Sequence, residues 1–359
     1  MATATRKYLG DVVDVKSGHG FDLARLEQWM HAQMPGFAGP LGVRQFESGQ
    51  SNLTYLLETP AQRYVLRRKP PGKLLKSAHA VDREFRVLRA LADTGFPVPQ
   101  PYALCEDDSV VGTMFYVMSH VPGRVFADCS MPDLAPAERA RVFDSVNATL
   151  ARLHTLDFAA LGLADFGRPG NYFARQIARW AAQYESSKTE DIPEMEQLAA
   201  WLPGAVPADE RASLIHGDFS FHIVLVHPTE TRVVALIDWE LSTIGHPCGD
   251  LMYHMMEWYR PAGIDPRGTL LGRDLAALRI PDFDAYLARY CERTGFDIGA
   301  QVPFHRAYNL FRIAAITQGI VGRLRDGTVV SANAADMARA VRPLAQAAWR
   351  EAQRLGAGA

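Results

Sequence analysis

Apolar residues in the first third of the chain recur mainly at the two-residue spacing of β-strands, in which alternate side chains point to opposite faces. One segment, residues 81–92, instead has the helical spacing of three or four residues, and it ends before the prolines of residues 96–101. The predicted strands lie near residues 43–46, 54–58, 63–67, 102–106 and 112–118. A further amphipathic helix is predicted over residues 22–33. This order of elements predicts a small α+β lobe that ends near Ser119.

Beyond Ser119 the spacing becomes helical for most of the chain. The predicted helices lie near residues 137–154, 172–184, 193–201, 251–258, 282–293, 304–322 and 334–355. The last of them contains Pro343, which predicts a kink or an interruption there. One β-rich segment stands among the helices, because residues 223–226 and 232–237 predict two strands joined across the turn 228–231. We therefore expect a larger, mainly helical second lobe that contains one β-hairpin.

The length of the chain agrees with two lobes, because 359 residues exceed the usual size of one domain. Apolar residues make up 48% of the sequence, which is enough for a sizeable core and is unlike a disordered chain. We expect an N-terminal extension with a short helix over residues 1–40, a first lobe over residues 41–119 and a second lobe over residues 120–359. The expected fold class is α+β.

Charge and cysteine content narrow the classes of partner. The 38 Lys and Arg nearly balance the 40 Asp and Glu, and a net charge of −2 argues against a general electrostatic grip on nucleic acid or on an anionic membrane. The four cysteines form no CxxC pair, so we expect neither a zinc knuckle nor a disulfide framework. The sequence has no apolar segment typical of a signal peptide or of a membrane-spanning helix. We expect a cytoplasmic protein with no obligate protein partner.

Acidic residues flank the predicted hairpin on both sides. His216-Gly217-Asp218 precedes the first strand, and Asp238-Trp239-Glu240 follows the second. In an antiparallel hairpin the start of one strand lies beside the end of the other, roughly 5 Å away, so we expect Asp218 and Asp238 to converge. Carboxylates suit Mg²⁺, which binds through one or two of them together with substrate phosphates. In phosphoryl transfer, one Asp orients the acceptor hydroxyl and a second Asp holds the metal.

Three segments around the hairpin carry a family resemblance. They are LIHGDF at residues 214–219, VVALIDWE at residues 233–240 and GHPCGDL at residues 245–251. Together they resemble the aminoglycoside phosphotransferase and choline kinase superfamily. More narrowly, they look like the phosphotransferase domains related to the N-terminal part of some acyl-CoA dehydrogenases. The resemblance covers about residues 40–345.

The resemblance implies a two-lobed protein-kinase-like fold that binds ATP, or another nucleoside triphosphate, together with Mg²⁺. The implied activity is transfer of the γ-phosphate to the hydroxyl of a small molecule, and the acyl-CoA dehydrogenase-linked members suggest a hydroxyacyl thioester or a related metabolite. By the same resemblance Asp218 is the catalytic base, Asp238 the principal Mg²⁺ ligand and Glu240 a further candidate ligand. We expect His216 to be a packed side chain that steadies the loop and Asp250 to fix the loop backbone.

The resemblance also places nucleotide-binding residues in the first lobe. In kinase-like folds a cation on a strand contacts the phosphates and pairs with a glutamate on a helix, and Arg67 and Glu84 occupy these positions. Met118 and His120 would lie at the hinge that meets the adenine. A glycine-containing turn would cover the phosphates with backbone N–H groups and small hydroxyls. Its residues are Ser48, Gly49, Gln50, Ser51 and Asn52.

One position departs from the family pattern HGDxxxxN, in which the Asn is the second magnesium ligand. Five residues after Asp218 this sequence has Ile223, which has no atom that ligates a metal. The neighbouring His222 offers an imidazole, which is poorly matched to Mg²⁺, and as the adjacent strand position it would point the other way. A nucleotide-binding pseudokinase with impaired catalysis is therefore the alternative hypothesis.

A third hypothesis is a metal-dependent hydrolase. Its ligands would be His216, Asp218, His222 and His227. Against it, His222 and His227 are five positions apart in a strand pattern, so they would face opposite sides of the sheet. This hypothesis predicts a tightly bound transition metal and no affinity for nucleotides.

Overall fold

The computed structural model of this protein describes residues 11–47, 52–70, 80–265, 268–326 and 334–358. Two compact units can be distinguished in it. The first unit consists of residues 1–127, 161–163 and 221–242, in their described parts. The second unit consists of residues 128–160, 164–220 and 243–359, likewise in their described parts. The hairpin segment 221–242 groups with the first unit, whereas the sequence placed it in the second lobe; the lobe boundaries themselves stay a prediction.

The described elements mix strands and helices, which confirms the α+β class. The strands are β1 (Val12–Val13), β2 (Gly42–Phe46), β3 (Leu53–Glu58), β4 (Arg63–Arg68), β5 (Pro101–Cys105), β6 (Phe115–Ser119), β7 (Ser213–Ile215), β8 (Val224–Val226), β9 (Val233–Leu236) and β10 (Thr243–Gly245). The helices are α1 (Leu23–Gln33), α2 (Val81–Ala92), α3 (Asp108–Val111), α4 (Pro136–Thr155), α5 (Tyr172–Ser187), α6 (Pro193–Trp201), α7 (Cys248–His254), α8 (Leu275–Leu278), α9 (Phe283–Thr294), α10 (Val302–Arg325) and α11 (Ala334–Gln353).

The first unit contains one six-stranded sheet in the order β1-β2-β3-β4-β6-β5, and all neighbouring strands are antiparallel. Five of these strands were predicted from the sequence. The sixth, β1, was missed because its two residues are too few to show a period; Val12 pairs with Phe46 at the end of β2. β6 begins at Phe115, later than predicted, because the short helix α3 comes before it.

Helix α1 contributes to the core of the first unit. Leu26 and Met30, one turn apart on α1, are fully buried and belong to one apolar cluster with Tyr55, Leu66 and Phe115 of the sheet. Burying a large apolar side chain stabilises a fold by about 1.5–3 kcal/mol. A segment that the sequence assigned to an extension therefore helps to hold the sheet.

Strands β8 and β9 form a hairpin in the first unit. Val224 is the residue opposite Leu236. The N–H of Leu236 donates to the carbonyl oxygen of Pro97 at 2.8 Å, and this hydrogen bond attaches the hairpin to the segment that follows α2. The 3₁₀ turn Phe221–Ile223 precedes β8, so the strand begins one residue later than predicted.

The second unit is mainly helical. Helix α10 packs against α11 and α5, and α4 packs against α9. Helix α11 runs through Pro343 without a break. Among the residues described in this unit, the strands are β7 and β10, which pair Ile215 with Thr243; the sequence missed them because each has only three residues. No helix in the described ranges is long and apolar enough to cross a membrane.

Candidate functional site

The loop after β7 holds His216, Gly217 and Asp218 in a fixed turn. β7 is anchored at its start, where the Ser213 hydroxyl donates to the carbonyl oxygen of His154 at 2.8 Å. Gly217 has φ 87°, a left-handed backbone that glycine adopts without strain. His216 is fully buried, and its Nδ1 accepts the N–H of Asp218 at 3.4 Å, as expected of a histidine that steadies the loop. The Asp218 side chain remains partly exposed.

Asp250, in the first turn of α7, binds the backbone of this loop. Its Oδ2 accepts the N–H of His216 at 2.5 Å, and its Oδ1 accepts the N–H of Gly217 at 2.8 Å. Nε2 of His154 lies 3.4 Å from Oδ2. Burial alone would raise the pKa of the Asp250 carboxyl, but the hydrogen bonds from His154 and His216 outweigh it and hold this pKa below its ordinary value. The prediction that Asp250 fixes the loop backbone is confirmed.

Glu84 in the first unit is a charged residue on an apolar helix face. It shares that face of α2 with Val81, Leu88 and Leu91 and is 1% exposed. Nε of Arg67, on β4, lies 2.9 Å from Oε2 of Glu84, so the structure brings these two predicted residues together. Burial raises the pKa of Glu84 to about 7, and the charge of Arg67 offsets only part of this rise.

Asp238 and Glu240 lie beside the same arginine. Asp238 follows β9 with φ 69° and ψ 57°, a left-handed backbone that is uncommon outside glycine. Its Oδ1 is in contact with Nη2 of Arg67, and Oε2 of Glu240 lies 3.4 Å from the same nitrogen. Asn52 donates from Nδ2 to Oε2 of Glu240 at 3.0 Å. We call Asn52, Arg67, Glu84, Asp238 and Glu240 the Arg67 cluster.

The two outer carboxylates of this cluster fit a magnesium ion. The side chains of Asp238 and Glu240 are 35% and 20% exposed, whereas Glu84 is buried. One or two such carboxylates, with phosphate oxygens and water, make up the usual ligand set of Mg²⁺. Asp238 and Glu240 are therefore the residues of the Arg67 cluster that would hold the metal.

The remaining nucleotide-binding predictions are placed as follows. Ser48, Gly49, Gln50 and Ser51 lie outside the described residues, and Asn52 is the part of that turn that the structure describes. Met118 is buried on β6, opposite Val65. His120 comes directly after this strand, and its N–H donates to the carbonyl oxygen of Arg63 at 3.4 Å. Burial lowers the pKa of His120. Contact of Met118 and His120 with an adenine stays a prediction.

The sequence argument for the convergence of Asp218 and Asp238 assumed the wrong register. It treated Asp218, which stands before the first hairpin strand, as if it lay immediately next to the start of that strand. In the structure β8 starts at Val224, which is the residue opposite Leu236 at the end of β9. Six positions separate Asp218 from Val224, so ladder spacing does not bring the two carboxylates together. Their convergence stays a prediction.

Ile223 and His222 both lie in the 3₁₀ turn before β8. Ile223 is 2% exposed, so its side chain is part of the packing. Its carbonyl oxygen accepts the N–H of Ile237 at 3.1 Å. The inference that His222 occupies a strand position was wrong, and the argument from strand alternation does not apply to it. The described ranges contain no group of three His, Cys, Asp or Glu side chains that could hold a metal ion, so the hydrolase hypothesis gains no support.

Sequence reasoning missed Arg312, on α10. Its Nη2 donates to the carbonyl oxygen of Gly217 at 2.9 Å, which places the guanidinium directly beside the loop that carries Asp218. A signal was present in the sequence, because Arg312 interrupts the apolar run from residue 310 to residue 316. Only the packing of α10 against the loop gives that interruption a meaning.

Comparison with known families identifies the chain at the level of sequence. Residues 42–288 match the phosphotransferase enzyme family. Acyl-CoA dehydrogenase family member 11 of Gallus gallus is 42% identical over 351 residues, which cover 95% of this chain and 45% of that protein. The chain therefore spans less than half the length of this curated relative.

Solved structures agree with this assignment. A putative aminoglycoside phosphotransferase from Ralstonia eutropha is 48% identical, covers 93% of this chain and 99% of its own, and has a TM-score of 0.86. Choline kinase from Cryptosporidium parvum is 13% identical, with a TM-score of 0.63 and coverage of 93% and 96%. An aminoglycoside phosphotransferase solved with AMP-PNP and hygromycin B is 19% identical, with a TM-score of 0.59 and coverage of 93% and 99%. The last two similarities concern the fold alone, and the kinase-like fold is confirmed.

Proposed function

Because this chain belongs to the phosphotransferase enzyme family, we propose that it transfers the γ-phosphate of ATP to a hydroxyl group of a small molecule, with Mg²⁺ bound beside the nucleotide. In this reaction the bond between the γ-phosphorus and the ADP oxygen breaks, and a bond forms from the phosphorus to the acceptor oxygen. The hydroxyl proton passes to Asp218. The products are ADP and a phosphate ester.

The observation that carries this proposal is the Arg67 cluster. A planar guanidinium binds phosphate oxygens through two parallel N–H bonds, and Glu84 holds that of Arg67 in place from the apolar face of α2. Kinase-like folds use a pair of a cation and a glutamate in this way. An aminoglycoside phosphotransferase of similar fold was solved with AMP-PNP, and this supports the choice of an adenine nucleotide. Mg²⁺ on Asp238 and Glu240 would neutralise phosphate charge.

Asp218 is proposed as the base because its surroundings suit that role. Its backbone is held by the buried His216 and, through Gly217, by Asp250, while its own side chain stays partly exposed. A general base needs a fixed position and access to the proton that it accepts. The acceptor is proposed to be a hydroxyacyl thioester or a related metabolite, on the grounds that the curated relatives carry acyl-CoA dehydrogenase names.

The test compares the full chain with its Asp218→Asn and Asp238→Asn variants. We expect a rise in melting temperature with ATP and Mg²⁺, and release of ADP that depends on a hydroxylated acceptor. Asp218→Asn should lose turnover at least 100-fold and keep nucleotide binding, whereas Asp238→Asn should lose the Mg²⁺ dependence of binding. Asp133→Asn, at an exposed aspartate of the second unit, is the matched control. Full turnover by Asp218→Asn would refute its role.

A second candidate function, a nucleotide-binding pseudokinase, is favoured by the buried Ile223. This function predicts the nucleotide-dependent rise in melting temperature without any turnover. Ile223→Asn restores the family residue, and under this hypothesis it should produce Mg²⁺-dependent turnover that the unmodified chain lacks. Turnover by the unmodified chain would rule out the pseudokinase.

A further inference from the structure

Arg312 is a buried cation that forms no ion pair in the described part of the chain. The residue is 7% exposed. Burial would lower the pKa of its guanidinium, but nearby tyrosines and the carboxylate of Asp218 outweigh this effect and raise that pKa. Its guanidinium makes one hydrogen bond, from Nη2 to the carbonyl oxygen of Gly217, and its buried Nε has no partner among the described residues. The guanidinium therefore has N–H donors without acceptors among the described residues, at a site where water has little access.

Aromatic rings compensate only part of the cost of burying this charge. The guanidinium carbon lies 4.9 Å from the ring centre of Tyr253 and 5.8 Å from that of Trp180. Cation–π contacts contribute roughly 0.5–2 kcal/mol, whereas an unpaired buried charge costs several kcal/mol. An apolar side chain of similar volume would avoid that cost. The aromatic contacts thus do not account for a buried arginine here by themselves.

The position of Arg312 indicates what its free donors are for. Gly217 immediately precedes Asp218, so the guanidinium is held one residue from the proposed base. An acceptor whose hydroxyl reaches Asp218 would bring its neighbouring atoms toward Arg312. A guanidinium recognises oxygen acceptors, and it binds them most strongly where water is excluded.

We propose that Arg312 binds the acyl oxygen of the acceptor, either a carboxylate oxygen or a thioester carbonyl oxygen, and thereby selects hydroxyacyl compounds over simple alcohols. This inference rests on the proposed phosphotransferase function and narrows its substrate class. Arg312 is in this view a specificity-determining residue of the second unit. A role in positioning the loop alone would instead affect all acceptors equally.

The test uses the full chain with three sets of acceptors that share the same hydroxyl: the hydroxybutanoate isomers, their pantetheine thioesters and the matching butanediols. With ATP and Mg²⁺, kcat/KM should be at least tenfold higher for an acid or a thioester than for its diol, and the acid and thioester arms identify which oxygen is bound. Arg312→Met should reduce this preference to within threefold of unity. Arg312→Lys, which keeps the charge and loses the planar fork, should retain part of it. Arg141→Met, at an exposed arginine of α4, should leave the preference unchanged.

A binding measurement keeps the inference testable without turnover. The acid or the thioester should raise the melting temperature of the unmodified chain by about 2–4 °C at saturating concentration, and Arg312→Met should abolish the rise. An equal preference in the unmodified chain and in Arg312→Met, equal use of diols, or no shift with any acyl compound would overturn the inference. Absence of any shift with ATP and Mg²⁺ would instead overturn the proposed function, so the two failures are distinct.

Discussion

Nε of Arg67 lies 2.9 Å from Oε2 of Glu84, and Oε1 of the same carboxylate accepts the backbone N–H of Trp239 at 3.1 Å. Glu84 thus joins β4, its own helix α2 and the turn that follows β9. Glu84 fixes the side chain of Arg67. Through the N–H of Trp239 it also fixes the backbone next to Asp238. The proposed cation and the proposed metal ligand are therefore held by one buried carboxylate.

Glu84→Gln removes this charge with little change of volume. We expect the free energy of unfolding to fall by about 2 kcal/mol, because hydrogen bonds to charged groups contribute about 1.5–3 kcal/mol. We also expect the affinity for ATP to fall at least tenfold, because Arg67 loses the partner that orients it. Urea unfolding and nucleotide titration measure the two effects.

The control for this variant is Glu292→Gln. Glu292 is 72% exposed and lies 3.9 Å from Arg289, so its ion pair is a surface pair of little value. Glu292→Gln should change the free energy of unfolding by less than about 0.5 kcal/mol and leave ATP binding intact. Similar losses in the two variants would contradict the special position of Glu84.

Much of the Arg67 cluster could be predicted because its parts lie on elements with a clear period. The strand that carries Arg67 and the helix that carries Glu84 both follow from the spacing of apolar residues. Glu84 itself falls on the apolar face of α2, between Val81 and Leu88, which is where a charge needs a buried partner. Periodicity predicted the two elements, and the family resemblance then paired the two residues on them.

Arg312 in the second unit and the turn before β8 in the first unit show where sequence reasoning stops. The contact between Arg312 and Gly217 joins positions 95 residues apart, and no local pattern encodes it. The 3₁₀ turn before β8 was not predicted for a different reason. Its three residues, which include His222, have the same apolar pattern as the strand that follows. An error of one residue in the start of a strand then changes every inference about facing side chains.

Asp250→Asn should uncouple the loop of the second unit from its anchor. In the folded chain Asp250 accepts the backbone N–H groups of His216 and Gly217. Asn keeps one acceptor oxygen and presents an NH₂ group to the other donor, so one buried N–H loses its partner. Such a loss costs about 1–3 kcal/mol. We expect unfolding to become easier by that amount and kcat to fall at least 100-fold.

The affinity of Asp250→Asn for ATP separates this effect from general damage. The Arg67 cluster lies entirely in the first unit, so the dissociation constant for ATP should change less than threefold. Circular dichroism checks that the variant is folded at the temperature of the assay. A parallel loss of ATP binding would count against a role of Asp250 confined to the loop.

Gly245→Ala should destabilise the second unit by crowding. A Cβ at Gly245 would stand 2.6 Å from Cδ1 of Ile215 and 2.7 Å from Cε2 of Tyr172, both closer than atoms pack. Overpacking of this kind costs about 1–3 kcal/mol. Gly299→Ala is the matched control, because a Cβ there would meet no atom within 4 Å. A thermal melt that falls equally for both variants would show that the contacts around Gly245 can relax.

Stability should fall in mild acid because of His246. Burial lowers the pKa of His246 to about 4, although the charge of Asp209 opposes the shift; Arg211 and His154 act in the same direction as burial. The ring is therefore neutral in the folded state, while in the unfolded chain it takes a proton near pH 6.5. As the pH drops below 6.5, only the unfolded state binds the extra proton, so stability falls between about pH 6.5 and pH 4. Above pH 6.5 the contribution of His246 to stability is present in full.

His246→Gln should remove part of this pH dependence. For a single group the slope approaches about 1.4 kcal/mol per pH unit, so the unmodified chain should lose about 1 kcal/mol or more through His246 between pH 6.5 and pH 5.5. Other buried histidines, such as His254 and His305, contribute their own share, and the difference between the two chains isolates that of His246. His31→Gln, at an exposed histidine of α1, should leave the slope unchanged. Urea unfolding at several pH values measures these slopes. Parallel curves for the unmodified chain and His246→Gln would mean that His246 binds its proton at the same pH in the folded and unfolded chains.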